Sequence, residues 1–311
     1  MFRYIKLNLV CFILSWIFST CPFYGQVRKT KQLLPQDYGL WSTISETDVS
    51  DNGEWCSYRL SYQSGNDTLF VKSTVISKTY GFAKGTDGRF SGIGWYGCIE
   101  EDHIKLVNLE MGKIENIGGA DRFAFAGNGQ YVIIHLVKPG LQSLLIRNLV
   151  SGEESQVMDA DAFAVSPDSN SVAVSVKSKE SNEVLVVRLE KRVLIRSVKG
   201  SFDERYSTLV WQNNSKSFAF SSKPVGSNLA TAVWLYKTGE DKLFSFDTHN
   251  DRQWEQSRLL SCSAPSSLAI SDDGARVFFT SIKKSFDTPL KDSVEIWNAA
   301  DKDLWHYRMR G

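Results

Sequence analysis

The sequence predicts an all-β fold, a β-propeller of four-stranded blades with about six blades present. Three observations point there. A polar turn recurs along the chain: SDNG at 50–53, AGNG at 126–129, SPDS at 166–169, QNNS at 212–215 and SDDG at 271–274, with a degenerate copy near 86–88. Apolar residues on either side of these turns alternate with a period of two, as half-buried strands require. Helical patterning is missing, since no stretch of about twelve residues keeps a 3.6-residue period between recognisable caps. A unit of about 40–45 residues with four short strands is the signature of a propeller blade.

In the first repeat, SDNGEW marks a strand pair and SYQSGNDTLFVKST continues it. In the second, 100–102 (Glu-Glu-Asp) falls at the hairpin between second and third strands, and Trp95 and Tyr96 fall in a strand. In the third, Phe123 and Phe125 precede the turn and residues 131–137 follow it. The fourth is the clearest. Phe163 and Val165 lead into the turn, Val172, Val174 and Val176 alternate against Ala173 and Ser175, and residues 184–187 and 193–195 supply two more strands. Leu209 and Trp211, then Phe218 and Phe220, flank the fifth turn; Leu268 and Ile270, then 277–279, flank the sixth. The turns have a mechanism: Asp, Asn and Ser side chains bond nearby backbone amides, and Gly accepts positive φ. A second marker closes the third strand of several repeats: LVNLEMGK at 106–113, IRNLVSGE at 146–153, VWLYKTGE at 233–240 and VEIWNAAD at 294–301. Trp234 and Trp297 take equivalent places there and are expected to fill the contact between blades rather than to hold a ligand.

Of 311 residues 42% are hydrophobic and 12% aromatic, enough for a packed core. Lys and Arg number 36 against 35 acidic residues, so the basic footprint of a nucleic-acid binder is missing. Arg3 and Lys6, followed by an apolar run at 7–18, have the form of an export signal with cleavage after Gly25. Lipidation at Cys21 and an uncleaved anchor are the alternatives. Cleavage removes two of the basic residues and none of the acidic ones, which leaves a net charge near −1 and no membrane contact. The resulting division is a signal at 1–25, a lead segment at 26–39 and the propeller at 40–311, and the chain is expected in the periplasm or outside the cell. Cys56, Cys98 and Cys262 then remain, odd in number and far apart, so neither a disulfide framework nor a metal site is expected. Cys56 and Cys98 lie in strand-like runs and are expected to be buried small hydrophobes.

Candidate chemistry is sparse. No G-x-S-x-G elbow occurs; Gly94 and Gly97 bracket Trp95 and Tyr96 without a serine, where a blade strand belongs. His103, His135, His249 and His306 are expected to be surface or satisfied strand histidines. The acidic residues at 100–102 and 153–154 are expected to be solvated hairpins. A phosphate-cradling glycine loop is also missing, because the glycines between 88 and 97 lead into no helix. Asn66-Asp67-Thr68 and Asn213-Asn214-Ser215 match the N-glycosylation pattern, which carries little weight in a bacterial export context. A convergent His, Asp and Glu set recurring at blade entrances is not evident. No catalytic, cofactor-binding or metal-binding residue is therefore assigned, and no cofactor is expected.

The opening stretch LLPQDYGLWSTISETDVSDNGEWCSYRLSYQSGNDTLFVKST (33–74), YGFAKGTDGRF (80–90) and DSVEIWNAADKDL (292–304) resemble secreted bacterial members of the prolyl oligopeptidase family. The resemblance covers nearly the whole mature chain. It implies a propeller that caps and gates peptide access to a C-terminal α/β-hydrolase domain carrying a Ser-Asp-His triad. None of the matching catalytic positions exists in these 311 residues. Glu100 and Glu101 do not reproduce the context in which dipeptidyl-peptidase relatives hold a substrate amine. About 45–50 residues per blade give roughly six blades after the signal, where this family usually closes with seven or eight. The expectation is a non-catalytic, incomplete propeller portion of an exported peptidase. Its alternative is a free-standing secreted propeller that binds a protein or glycan partner. An enzyme with an unrecognised site on the propeller axis is a weaker possibility.

Overall fold

A computed structural model describes residues 33–190, 192–255, 257–261 and 267–283. The signal, Cys21, Cys262, the repeat at 294–301 with Trp297, and His306 lie outside the described residues.

After a 3-10 turn at Pro35–Leu40, the chain is all strand. The first blade is β1 (Ser42–Val49), β2 (Trp55–Tyr62), β3 (Thr68–Ser73) and β4 (Thr79–Ala83). The second is β5 (Thr86–Phe90), β6 (Trp95–Glu100), β7 (His103–Asn108) and β8 (Ile114–Gly118). The third is β9 (Ala120–Ala126), β10 (Tyr131–Lys138), β11 (Leu141–Asn148) and β12 (Glu154–Met158). The fourth is β13 (Ala160–Val165), β14 (Ser171–Lys177), β15 (Asn182–Leu189) and β16 (Val193–Ser201). The fifth is β17 (Glu204–Trp211), β18 (Ser217–Pro224), β19 (Ala232–Lys237) and β20 (Lys242–Asp247). In the sixth, β21 (Arg258–Ser261) and β22 (Leu268–Ile270) pair with successive stretches of β23 (Val277–Lys283). Each of the first five is an antiparallel up-and-down sheet in chain order, and the six together form the β-propeller that the repeat predicts.

Period-two patterning explains the stacking. On β10, Tyr131 and Ile133 enter a core shared with the fourth blade, while Val132 and Ile134 enter one shared with the second. On β14, Val172 and Val174 face the third blade and Ala173 faces the fifth. These two strands are thus apolar on both faces. Where the fourth blade offers small Ala173, Val184 and Val186, the fifth answers with Tyr206, Trp211, Phe218 and Phe220. Fully burying one such side chain is worth about 1.5–3 kcal/mol. Trp234 packs on this interface, stacked on Phe220 at 6.2 Å, as expected of a core tryptophan.

The recurring turns do more than reverse the chain. Gly127 N–H donates to the Ser169 carbonyl (2.5 Å), joining the third turn to the fourth. Asp168 N–H donates to Ser215 Oγ (2.9 Å), joining the fourth to the fifth. Gln212 Nε2 donates to the carbonyls of Ser271 (3.1 Å) and Asp272 (2.8 Å), joining the fifth to the sixth. The second and third turns abut instead. A Cβ on Gly129 (φ +83°) would lie 2.4 Å from the Gly92 nitrogen, so only glycine fits.

The degenerate copy is placed differently by the structure. Residues 86–88 lie within β5, and the second blade's turn is Ser91-Gly92-Ile93-Gly94. Thr-Asp-Gly there forms a β-bulge, which asks for the same left-handed backbone as a turn and so selects the same residues.

Candidate functional site

The first strands of neighbouring blades approach one another: β1 and β5, β13 and β17, β17 and β22. Each first strand of blades one to five carries a register shift. It falls at Glu46 and Thr47 on β1, at Asp87 and Gly88 on β5, at Asp121 on β9, at Asp161 on β13, and at Thr208 and Leu209 on β17. Glu46, Asp87 and Thr208 have positive φ. Four of these five shifts hold a carboxylate. This is a recurring acidic position that strand alternation conceals, because a bulge breaks the alternation. Its signal is an acid four or five residues ahead of each of the first four turns: Glu46 before Ser50, Asp87 before Ser91, Asp121 before Ala126, Asp161 before Ser166.

Two of these acids are already engaged. Asp121 Oδ1 lies 2.7 Å from His135 Nδ1, while His135 Nε2 lies 2.9 Å from the Ala160 carbonyl. Both ring nitrogens thus face acceptors, and the buried imidazole bolts the third blade to the fourth. Glu46 accepts from Arg59 Nη1 at 2.9 Å, and Arg59 also reaches Asp67 at 3.1 Å.

Between β1 and β5 the bulges leave a cleft of about 530 Å³, lined by Glu46, Thr47, Asp48, Thr86, Asp87 and Gly88. Behind its wall, and not lining it, are two buried hydroxyls, Ser57 Oγ on β2 and Tyr96 Oη on β6. Ser57 is the register partner of Asp48. Tyr96 Oη lies against Gly88, where a Cβ would come within 1.9 Å of it. Burial pushes the Tyr96 phenol well above its usual range. A hydrogen bond with the Ser57 hydroxyl works against that rise, while the charges of Asp48 and Glu46 add to it.

A second groove, about 400 Å³, lies between the first two blades at the turn end, among Asp51, Glu54, Trp55, Ile76, Phe90 and Glu110.

The other candidates have local explanations. Glu101 and Asp102 are exposed in the β6–β7 hairpin, where Asp102 pairs with His103 at 2.6 Å; Glu100 closes β6 and pairs with Lys105 at 3.0 Å. Glu153 sits in the turn before β12 and Glu154 opens that strand, 3.7 Å from Arg147. His249 is exposed beside Asp247. Gly94 and Gly97 bracket the start of β6, with no serine between them. Cys98 is buried, and burial raises its thiol to about 12; Cys56 is only half-buried, contrary to expectation, its Sγ donating to the Lys72 carbonyl. Among the described residues no group of three or more His, Cys, Asp or Glu is placed to hold a metal ion.

No protein-family model matches the chain, and no curated protein matches its sequence. Solved structures do. A prolyl endopeptidase structure aligns at 11% identity over 78% of this chain and 40% of its own, with TM-score 0.47. Oligogalacturonate lyase from Vibrio parahaemolyticus aligns at 11% over 74% and 68%, TM-score 0.43. The β-propeller domain of the Trilobed protease from Pyrococcus furiosus aligns at 13% over 78% and 80%, TM-score 0.42. Proteases and a lyase stand side by side here, and at these identities none of them assigns an activity.

Proposed function

We propose that this chain is the propeller portion of an exported serine peptidase of the prolyl oligopeptidase type, a non-catalytic body that caps and gates peptide access to an α/β-hydrolase domain. The observation that carries the proposal is β1. All eight of its residues are exposed, including Ile44 and Val49, and the exposed Tyr38, Leu40 and Trp41 precede it. The inner strands of the blades inside the stack are instead largely covered. An inner strand whose residues all stay exposed among the described residues is a surface prepared for another protein body. The resemblance of residues 33–74 and 80–90 to this peptidase family supports the identity of that body.

Reading the DNA beyond the Gly311 codon tests the proposal. A neighbouring or continuing frame with a G-x-S-x-G elbow is the expected result; a genome without one nearby contradicts it. A serine-directed fluorophosphonate probe should leave the purified chain unlabelled. Labelling would place a nucleophile in the propeller itself.

Export belongs to the same proposal. Amino-terminal sequencing of the exported chain should begin at Gln26, and a diacylglycerol mass on Cys21 would replace cleavage after Gly25 with lipoprotein processing.

The second reading is a free-standing propeller that binds a partner. The cleft between β1 and β5 favours it, since that cleft is built without help from any other domain.

A further inference from the structure

We infer that the turn end of the first two blades docks a protein segment that combines apolar side chains with lysine or arginine. This holds whether or not a hydrolase domain accompanies the propeller.

The first support is an apolar row that folding does not require. The turns joining third to fourth strands carry exposed apolar side chains in the first three blades: Val75 and Ile76, then Met111, then Val150. In the fourth and fifth blades the same turns hold Glu190 and Arg192, or Glu240 and Asp241, so the turn itself asks for no apolar residue. Polar caps shape it instead. Ser73 Oγ accepts from the amides of Val75 (3.2 Å) and Ile76 (3.1 Å), Asn108 Oδ1 from that of Met111 (2.9 Å) and Asn148 Oδ1 from that of Val150 (2.8 Å). The row is exposed and already held in place, so a partner meets it at small entropic cost.

The second support is the groove beside this row. About 400 Å³ opens between Val75 and Ile76 of the first blade and Leu109 of the second. Trp55, Phe90 and Leu109 line it with apolar surface. Its size and lining suit a few side chains of a short segment rather than a flat protein face.

Charge selects the occupant. Asp51, Glu54 and Glu110 line the same groove and enter no ion pair among the described residues. A Cβ on Gly92 would lie 3.5 Å from Asp51 Oδ2, and one on Gly94 3.7 Å from Glu110 Oε1, so carboxylates of both blades stand against the turn that walls the groove. Of the nearby lysines, Lys78 sits over the Tyr80 ring at 5.3 Å and Lys113 pairs with Glu115 at 3.0 Å. Negative charge is thus left over beside apolar surface. An anionic lipid surface would be repelled, and a second copy docked face to face would set carboxylates against carboxylates. A basic and apolar segment satisfies both features.

Fluorescence anisotropy with short labelled peptides tests this at low salt. One peptide alternates lysine with leucine, one glutamate with leucine and one lysine with serine. The lysine–leucine peptide should bind saturably and the other two about tenfold more weakly or worse. Ile76→Ser should weaken its binding about tenfold, and Asp51→Asn or Glu110→Gln about threefold each. Phe202→Ser, which removes an equally exposed apolar side chain from the connection between β16 and β17 at the opposite end, should leave binding unchanged. Urea unfolding of all four variants should match the wild type, since these side chains serve no contact that folding uses. Failure of the lysine–leucine peptide to saturate, equal binding of the glutamate–leucine peptide, or equal losses in Ile76→Ser and Phe202→Ser would each overturn the proposal. So would a dimer in sedimentation that Ile76→Ser dissolves, or Ile76-dependent binding to phosphatidylglycerol vesicles, because the occupant would then be a second copy or a lipid surface.

Discussion

The turns at the start of each blade and the bulges a few residues upstream are built from the same short polar residues, yet they do opposite things. At the fourth and sixth turns the carboxylates have work close by. Asp168 accepts from Ser166 Oγ at 2.5 Å and from the Asn170 amide at 3.1 Å, while its own amide reaches the next blade. Beside the bulge of β1, Asp48 finds only its neighbour's amide. What separates them is the presence of a partner within reach, not the residue type.

Substitutions should divide along that line. The largest effect is expected where turn meets turn. Gly129→Ala forces a side chain into the Gly92 backbone at a positive φ, and urea unfolding should show a loss of about 2–4 kcal/mol. Trp211→Phe comes next. The indole N–H just before the fifth turn donates to the Ala164 carbonyl of the neighbouring blade at 2.9 Å, and its loss should cost about 1–3 kcal/mol in the same assay. Asp168→Ala removes two hydrogen bonds at a partly exposed site and should cost about 1 kcal/mol.

Acid should weaken the fourth turn. Burial pulls the Asp168 carboxyl upward, but the hydrogen bonds from Ser166, Asn170 and Ser215 outweigh it and hold the group below its usual range. The folded chain therefore releases this proton more readily than the unfolded one. Its contribution is full above the unfolded pKa of about 4 and is lost as pH falls through the depressed folded value. Glu115 behaves alike, its burial outweighed by Lys113 and by Arg147 of the next blade. Thermal melts should show a downturn in Tm below about pH 4 that is shallower in Asp168→Ala. The smallest effect on stability, within about 0.5 kcal/mol, is expected for Asp48→Asn, which removes charge from a cleft that folding does not use.

Much of the architecture was legible beforehand, for reasons particular residues make plain. Val172, Ala173 and Val174 alternate because the fourth blade packs on both sides, and SPDS and SDDG reverse the chain with side chains that bond their own backbone. The second turn was not legible, because Ser91-Gly92-Ile93-Gly94 carries neither Asp nor Asn, while Thr86-Asp87-Gly88 imitates a turn from inside a strand. The cleft was hidden for a related reason. Glu46, Asp87, Asp121 and Asp161 look like solvent-side strand residues until pairing shows that each occupies an irregularity of register. The approach of the buried Ser57 and Tyr96 hydroxyls depends on contact between blades, which no local pattern encodes.

The most direct test pairs one substitution from each region in a single experiment. Urea unfolding of Asp168→Ala and Asp48→Asn measures what each carboxylate contributes to folding. The expected result is that Asp168→Ala loses about 1 kcal/mol whereas Asp48→Asn stays within about 0.5 kcal/mol of the wild type. If Asp48→Asn unfolds as easily as Asp168→Ala, carboxylates at the turns and beside the bulges serve folding alike.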